Sequence, residues 1–275
     1  MADVRKILFS DLDGTLLDNN KEIEKGTRKA IDEMLAQGHI FTICTGRPLS
    51  SAKMVASQFG LNREGCYIVA YNGGVLYDPS NHEIISYASI PLAVVRRMFQ
   101  AAADAGLYIH TYDHSDTVIT SRHTAELDAY LRHTKMSART GEDAAAGLAD
   151  EPAKMIVINM DSFDRLKAFQ EQNAGWTKNQ LNSFFSCEQY LEYCPAGISK
   201  GSAVSKLCEY LGIPAEASVA AGDERNDISM LKAAQIGAVP AGAHPEAAAA
   251  ADVCCVRDNN EGAVGEIIQK YILCT

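Results

Sequence analysis

The feature that most constrains this chain is a short apolar run, residues 7–9, that stops abruptly in Asp11-Leu12-Asp13-Gly14-Thr15. A run of that kind reads as a buried strand. Successive strand residues point to opposite faces, so Asp11 and Asp13 turn together only where the strand ends. Gly14 lets the chain bend sharply there. In an open α/β sheet, that end of the strands forms the ligand crevice. Two hard oxygen donors close together suit Mg²⁺, which keeps positions for water or a phosphate. A carboxylate beside a metal-bound phosphate can also attack phosphorus. The plainer alternative is a pair of turn residues at a strand end.

The same grammar recurs along the chain. Ala30, Ile31, Met34 and Leu35 fall at helical spacing in residues 24–37, and Gly38 is a stop. A second apolar run, 39–44, ends in Thr45-Gly46-Arg47-Pro48, and a helix over 49–59 follows. Strand, helix and strand in this rhythm predict parallel strands with right-handed crossovers. Thr45 with the local backbone N–H groups, that of Gly46 among them, can bind phosphate oxygens at a helix start; the alternative is a simple helix cap. A third strand, 66–71, ends in Asn72-Gly73-Gly74, a hairpin signal with 75–77 as the return strand.

After residue 82 the pattern changes. Short strands (84–89, 107–112, 117–121, 154–160, 181–186 and 190–193) mix with helices over 92–105, 124–133 and 162–173; residues 136–151 read as loop. Paired strands with helices on one face suggest an α+β layer set into the core. Tyr108, His110, Tyr112 and His114 alternate, so they share one face, read first as polar surface and otherwise as a face over the active site; Lys154 reads as solvated, with a substrate contact as the alternative.

The core text resumes near Cys194. Ser199 or Ser202 caps a helix running to Leu211, with Lys200 at its start. A lysine there opposes the helix dipole, so a carboxylate or anion partner should compensate; a solvated lysine is the alternative. Residues 218–221 form a strand ending in Gly222-Asp223-Glu224-Arg225-Asn226-Asp227, with a helix over 228–234. Asp223 and Asp227, four apart in a turn entering a helix, can face one side. Strands over 235–239 and 253–256 and helices over 245–250 and 261–272 close the chain.

These segments resemble, in order, the four motifs of the haloacid dehalogenase-like superfamily, Gly-Asp-x-x-Asn-Asp being the form of the fourth, and the Thr-Gly-Arg form resembles its Cof-type branch with a type IIB cap. The resemblance implies an α/β fold: a Rossmann-like, doubly wound parallel core (residues 1–82 and 190–275) with an inserted α+β cap (residues 83–189). It implies a phosphatase in which Asp11 is the nucleophile and Asp13 the general acid and base, Asp13 also lending its backbone carbonyl to Mg²⁺. Asp223 would be a further metal ligand. Thr45, Lys200 and Asn226 would hold the transferring oxygens, and Asp227 would orient Lys200 or a metal-bound water. Arg47 would be a substrate-side cation or a helix-start residue, and Asn72 a cleft residue or only a hairpin turn. Cap closure would exclude water. One departure is Gly242, which stands where the branch usually has asparagine.

Composition narrows the partners. A net charge of −10 over 275 residues argues against non-specific nucleic-acid or acidic-membrane binding. Eight cysteines show no Cys-x-x-Cys pair, which points to a reducing compartment, and no apolar run is long enough for a membrane span. With no export signal read at the start, the expectation is a cytoplasmic monomer or homodimer acting on a small phosphorylated metabolite, sugar phosphates first. The alternatives are a phosphomutase, which needs a second phosphate clamp, and a non-catalytic phosphate sensor, which has no need of Asp11, Asp13 and Lys200 together.

Overall fold

The computed structural model describes residues 4–273; Cys274 lies outside them. The chain divides into two compact units, the first running up to Ser86 and again from Ser199, the second covering Tyr87–Ile198. The first unit opens with β1 (Ile7–Ser10), α1 (Lys25–Ala36), β2 (Ile40–Cys44), α2 (Leu49–Gln58), β3 (Cys66–Ala70), β4 (Val75–Asp78) and β5 (Glu83–Tyr87). The second contains α3 (Leu92–Asp104), β6 (Tyr108–Tyr112), β7 (Val118–Thr120), α4 (Ala125–Thr134), β8 (Ala138–Thr140), β9 (Met155–Ile158), α5 (Phe163–Thr177), β10 (Leu181–Cys187) and β11 (Tyr190–Pro195). The first then resumes with α6 (Lys200–Leu211), β12 (Ser218–Ala221), α7 (Ile228–Ala233), β13 (Ile236–Val239), α8 (Pro245–Ala250), β14 (Val253–Cys254) and α9 (Ala263–Ile267). A π-helical segment, Ile268–Leu273, replaces the second half of the expected final helix.

The first unit's sheet has the order β14-β13-β12-β1-β2-β3-β4-β5. Strands β14 through β3 are parallel, and β4 runs antiparallel to β3. The chain winds outward from β1 in both directions, so strand order reverses between β1 and β12. That is the switch point at which open sheets leave a crevice. Ile7, Leu8 and Phe9 are all fully buried, as they must be in a parallel strand covered on both faces. Ile7 and Phe9 pack with Val204 and Leu207 of α6 and Met230 and Leu231 of α7. The expected class, a doubly wound α/β core carrying an α+β insertion, is the one found.

In the second unit a sheet of order β10-β11-β9-β6-β7-β8 is antiparallel except for β7 and β8. Helices α3 and α5 bury Met98, Phe99, Leu166 and Phe169 against Ile109, Val157 and Leu191 on one face. Two expectations need correction here. Tyr108, His110 and Tyr112 are buried rather than surface residues, and only His114, beyond the strand end, is exposed. Lys154 is buried and paired with Glu192 at 2.9 Å, not solvated. The reason is register: Glu192 lies opposite Ile156, so it shares a face with Lys154 two residues away.

Two boundaries also differ. Residues 136–151, read as loop, hold β8, three residues too short to carry a period. The return to the first unit falls at Ser199, because Tyr190–Pro195 pairs with β9 and β10 on its two sides. The seven cysteines among the described residues are free. No helix among those residues is long and apolar enough to cross a membrane.

Candidate active site

At the switch point the chain leaves β1 into Asp11, whose N–H donates to the Ala221 carbonyl at the end of β12 (2.9 Å). The two strands thus end level, and the loops after them share one crevice. Gly14 makes the turn with φ 81°, a left-handed conformation glycine adopts freely. A Cβ there would also run into the Asp223 carboxylate, so this glycine is needed twice over. Thr15 then donates its hydroxyl to Asp223 Oδ1 at 2.6 Å.

Lys200 enters from the other half of the unit, as the first residue of α6. Ser199 and Ser202 form a reciprocal capping box that fixes this helix start. The Lys200 side chain is fully buried, and its Nζ donates to Asp11 Oδ1 at 2.6 Å and Asp227 Oδ1 at 2.5 Å. These two carboxylates are the compensation that a lysine at a helix N-terminus requires. Asp227 is itself fixed, because its Oδ2 accepts from the backbone N–H groups of Asp223 and Glu224, both at 3.0 Å. Gly73, at φ 104°, packs so closely on the Ser199 carbonyl that a Cβ would clash with it. The turn after β3 thereby braces the helix that carries Lys200.

Asp11, Asp223 and Asp227 offer oxygens that all lie within 4.8 Å of one another. One buried lysine therefore faces three carboxylates, an excess of negative charge. Burial pushes the Asp11 carboxyl well above the usual carboxylate range; Lys200 pulls it down, and Asp227 and Asp223 push it further up. Burial and Asp227 likewise raise Asp223 to about 7. This cluster fits a divalent cation, which supplies the missing positive charge through hard oxygen donors. Since both Asp227 oxygens already hold Lys200 and the backbone, Asp11 and Asp223 are the carboxylates with capacity for an ion.

Asp13 faces elsewhere. Arg47 grips it with a fork, Nε to Oδ2 at 2.7 Å and Nη2 to Oδ1 at 2.6 Å, and Lys21 Nζ adds 2.8 Å to Oδ1. Burial alone would raise this carboxyl, but the hydrogen bonds and charges of Arg47 and Lys21 override it and hold it at about 2. Behind them, Thr45 Oγ1 accepts from the Arg47 N–H at 3.2 Å, and the Thr45 carbonyl accepts from the Asn72 N–H at 3.0 Å. Tyr71 and Asn72 both take positive φ, 53° and 55°, in the hairpin turn. Asn72 Oδ1 in turn accepts from Asn226 Nδ2 at 3.1 Å and stands against Gly46. Gly242, in the loop after β13, is left-handed at φ 82°, a conformation glycine adopts freely.

The structure therefore groups the expected residues in two sets. Asp11, Lys200, Asp223 and Asp227 form one hydrogen-bonded cluster with Thr15; Asp13 and Arg47 form another with Lys21. Asn72, Asn226, Gly46 and the Thr45 backbone line the loops between. Sequence reasoning assigned no role to Thr15 or Lys21. A hydroxyl placed straight after the bent Gly14 was the available signal for Thr15; Lys21 had none beyond its position.

A carboxylate and lysine cluster at the switch point of a doubly wound sheet, with room for a cation and a bidentate arginine beside it, defines an enzyme of the phosphatase type. The match to the haloacid dehalogenase-like hydrolases covers residues 8–268, and the chain belongs to that family. YxeH of Bacillus subtilis is 26% identical over 271 residues, 98% of each chain. YitU of the same organism, named a 5-amino-6-(5-phospho-D-ribitylamino)uracil phosphatase, is 27% identical over 84% of each. A solved haloacid dehalogenase-like hydrolase from Bacteroides thetaiotaomicron is 28% identical, with a TM-score of 0.85 over 97% of this chain and 99% of that one.

Proposed function

We propose that this protein is a Mg²⁺-dependent phosphatase of small phosphorylated metabolites, sugar or polyol phosphates first among them, working through an aspartyl-phosphate on Asp11. The observation that carries the reading is the fully buried Lys200 bridging Asp11 and Asp227 beside Asp223. The relative named for a phosphoribityl substrate is consistent with that substrate class.

The Asp11 carboxylate attacks phosphorus, and the bond from phosphorus to the ester oxygen breaks. Asp13, ionised in the free enzyme, takes up a proton as bound substrate draws Arg47 and Lys21 off it, and then gives that proton to the departing alkoxide. Water then attacks the aspartyl-phosphate; Asp13 takes the proton of that water, and the bond between phosphorus and Asp11 breaks to release phosphate. Held as a carboxylate by Arg47 and Lys21, Asp13 is in the state the second half requires. Lys200 balances the charge on Asp11, and Asp227 fixes Lys200. Thr45, Gly46, Asn72 and Asn226 surround the transferring phosphoryl group, and Arg47 stands on the Asp13 side, toward the leaving group. Mg²⁺, held by Asp11, Asp223 and the Asp13 carbonyl, would neutralise the phosphoryl charge.

The test is phosphate release from a panel of phosphorylated sugars, polyols, sugar acids and nucleotides. Release falls by at least about a hundredfold with chelator and returns with Mg²⁺. Release that ignores chelator overturns the metal assignment, and no release from any compound overturns the phosphatase.

A pH signature accompanies the metal. Unfolded, Asp223 titrates near 3.8; folded without metal, near 7. The folded state therefore holds the extra proton between those values, and metal-free stability falls as pH rises through that window. Mg²⁺ competes with the proton, so its stabilisation is larger at pH 8 than at pH 5.5. At a hundredfold excess over Kd the gain is about 2.7 kcal/mol. Thermal unfolding at both pH values, with and without Mg²⁺, reads this directly; equal shifts at both would remove Asp223 from the metal.

A further inference from the structure

Lys21 lies in a loop built with unusual care for a surface lysine. Residues 17–23 fold back on themselves: the Asp18 N–H donates to the Glu22 carbonyl at 2.8 Å, and the Lys21 N–H to the Asp18 carbonyl at 3.0 Å. The Asp18 carboxylate accepts from the N–H groups of Asn20 and Glu22, both at 2.8 Å. From behind, Asn259 donates to the Leu17 carbonyl at 2.9 Å, and Asn260 accepts from the Asn19 N–H at 3.0 Å. Within this pinned turn Lys21 itself takes φ 64°, a left-handed conformation that disfavours a side chain. The result is delivery of Lys21 Nζ onto Asp13 Oδ1.

Stability does not explain this arrangement. The lysine side chain is half exposed, and ion pairs of that kind contribute little. Nor does Asp13 need a second cation, because the Arg47 fork already satisfies and neutralises one carboxylate. Arg47 and Lys21 against Asp13 leave one positive charge in excess. Of the three donors on Lys21 Nζ, Asp13 takes one, and the half-exposed head has the others to offer. On the reading above, Asp13 stands where the alcohol departs, so this excess charge faces the leaving group rather than the phosphoryl group.

We propose that Lys21 is a specificity-determining residue that, with Arg47, selects phosphomonoesters whose leaving group carries its own anionic substituent, a carboxylate or a second phosphate, close to the ester oxygen. Within the sugar- and polyol-phosphate class, a neutral leaving group gains nothing from the second cation, so the favoured members are those that also carry an acid or a second phosphate. An anion within a few bonds of the ester gains a charge-assisted hydrogen bond to Lys21. The inference rests on the phosphatase reading and on Asp13 as the leaving-group acid.

The experiment compares matched substrates: 2-phosphoglycerate against glycerol 2-phosphate for the carboxylate, and 1,2-ethanediol bisphosphate against its monophosphate for the second phosphate. Wild type favours the anionic member of at least one pair in kcat/KM, and the preferred pair identifies the anion. Lys21→Met reduces that preference by about tenfold, chiefly through KM, and Lys21→Arg keeps most of it. A loss of equal size on both members, chiefly in kcat, means that Lys21 only positions Asp13 and overturns the proposal. So does an unchanged preference in Lys21→Met, or a wild type with no preference in either pair. If none of the four compounds turns over, the wider phosphate-release panel decides: release there that depends on Asp11 overturns this inference alone, and no release overturns the phosphatase reading with it.

Discussion

Asp11→Asn loses turnover by about four orders of magnitude while the protein stays folded. The amide cannot form the acyl-phosphate, yet it fills the same space and still accepts a hydrogen bond from Lys200. The stability effect has an unusual sign. Burial, Asp227 and Asp223 all disfavour charge on Asp11, and only Lys200 favours it. Removing that charge leaves two carboxylates against one lysine, so the metal-free variant is as stable as the wild type or more stable. In Mg²⁺ the order reverses, because the variant has given up a ligand. Phosphate release and chemical denaturation, each with and without Mg²⁺, check both halves. Activity within tenfold of wild type would remove Asp11 from the nucleophile's role.

Lys200→Met acts in the opposite direction on stability. It leaves Asp11 and Asp227 buried without their cation, a loss of about 3–5 kcal/mol. Turnover falls with it, since nothing then balances Asp11 as the phosphate approaches. The stability deficit narrows at lower pH, because the stranded carboxyls take up protons and stop repelling each other. Urea denaturation at pH 8 and pH 5 measures this. A deficit that is small at pH 8, or that widens on acidification, would mean that Lys200 does not hold this cluster together.

Much of this site was legible because of how parallel sheets are written. A strand buried on both faces reads as an unbroken apolar run, so its end, where ligands bind, shows as a sudden change to polar residues and glycine. Asp11, Thr45, Asn72 and Asp223 all stand at such ends. Lys200 was readable for another reason: a lysine at the start of a helix implies a carboxylate nearby. Pairings between loops were not readable. Arg47 grips Asp13 only because β1 and β2 are neighbours in register, with Ser10 opposite Ile43. Lys21 reaches the same carboxylate through a turn pinned by Asn259 and Asn260, at the far end of the chain. Lys154 failed for a related reason, since its partner Glu192 depends on the order of strands in the second unit, not on any local pattern.

The position of β1 bears on how the protein is made. Its neighbours are β2, which follows soon after, and β12, in which Ser218 lies opposite Ile7. On the ribosome, β1 through β4 can pair early. The other edge of β1 then stays open until residues 218–221 emerge, on the order of ten to forty seconds later at usual rates of synthesis. That edge belongs to Ile7, Leu8 and Phe9, all fully buried in the finished protein. An apolar, unpaired edge is a template for joining other nascent strands. The arrangement that sets Asp11 beside Asp223 thus leaves one edge of the newborn chain's first strand without its partner until the last quarter is made.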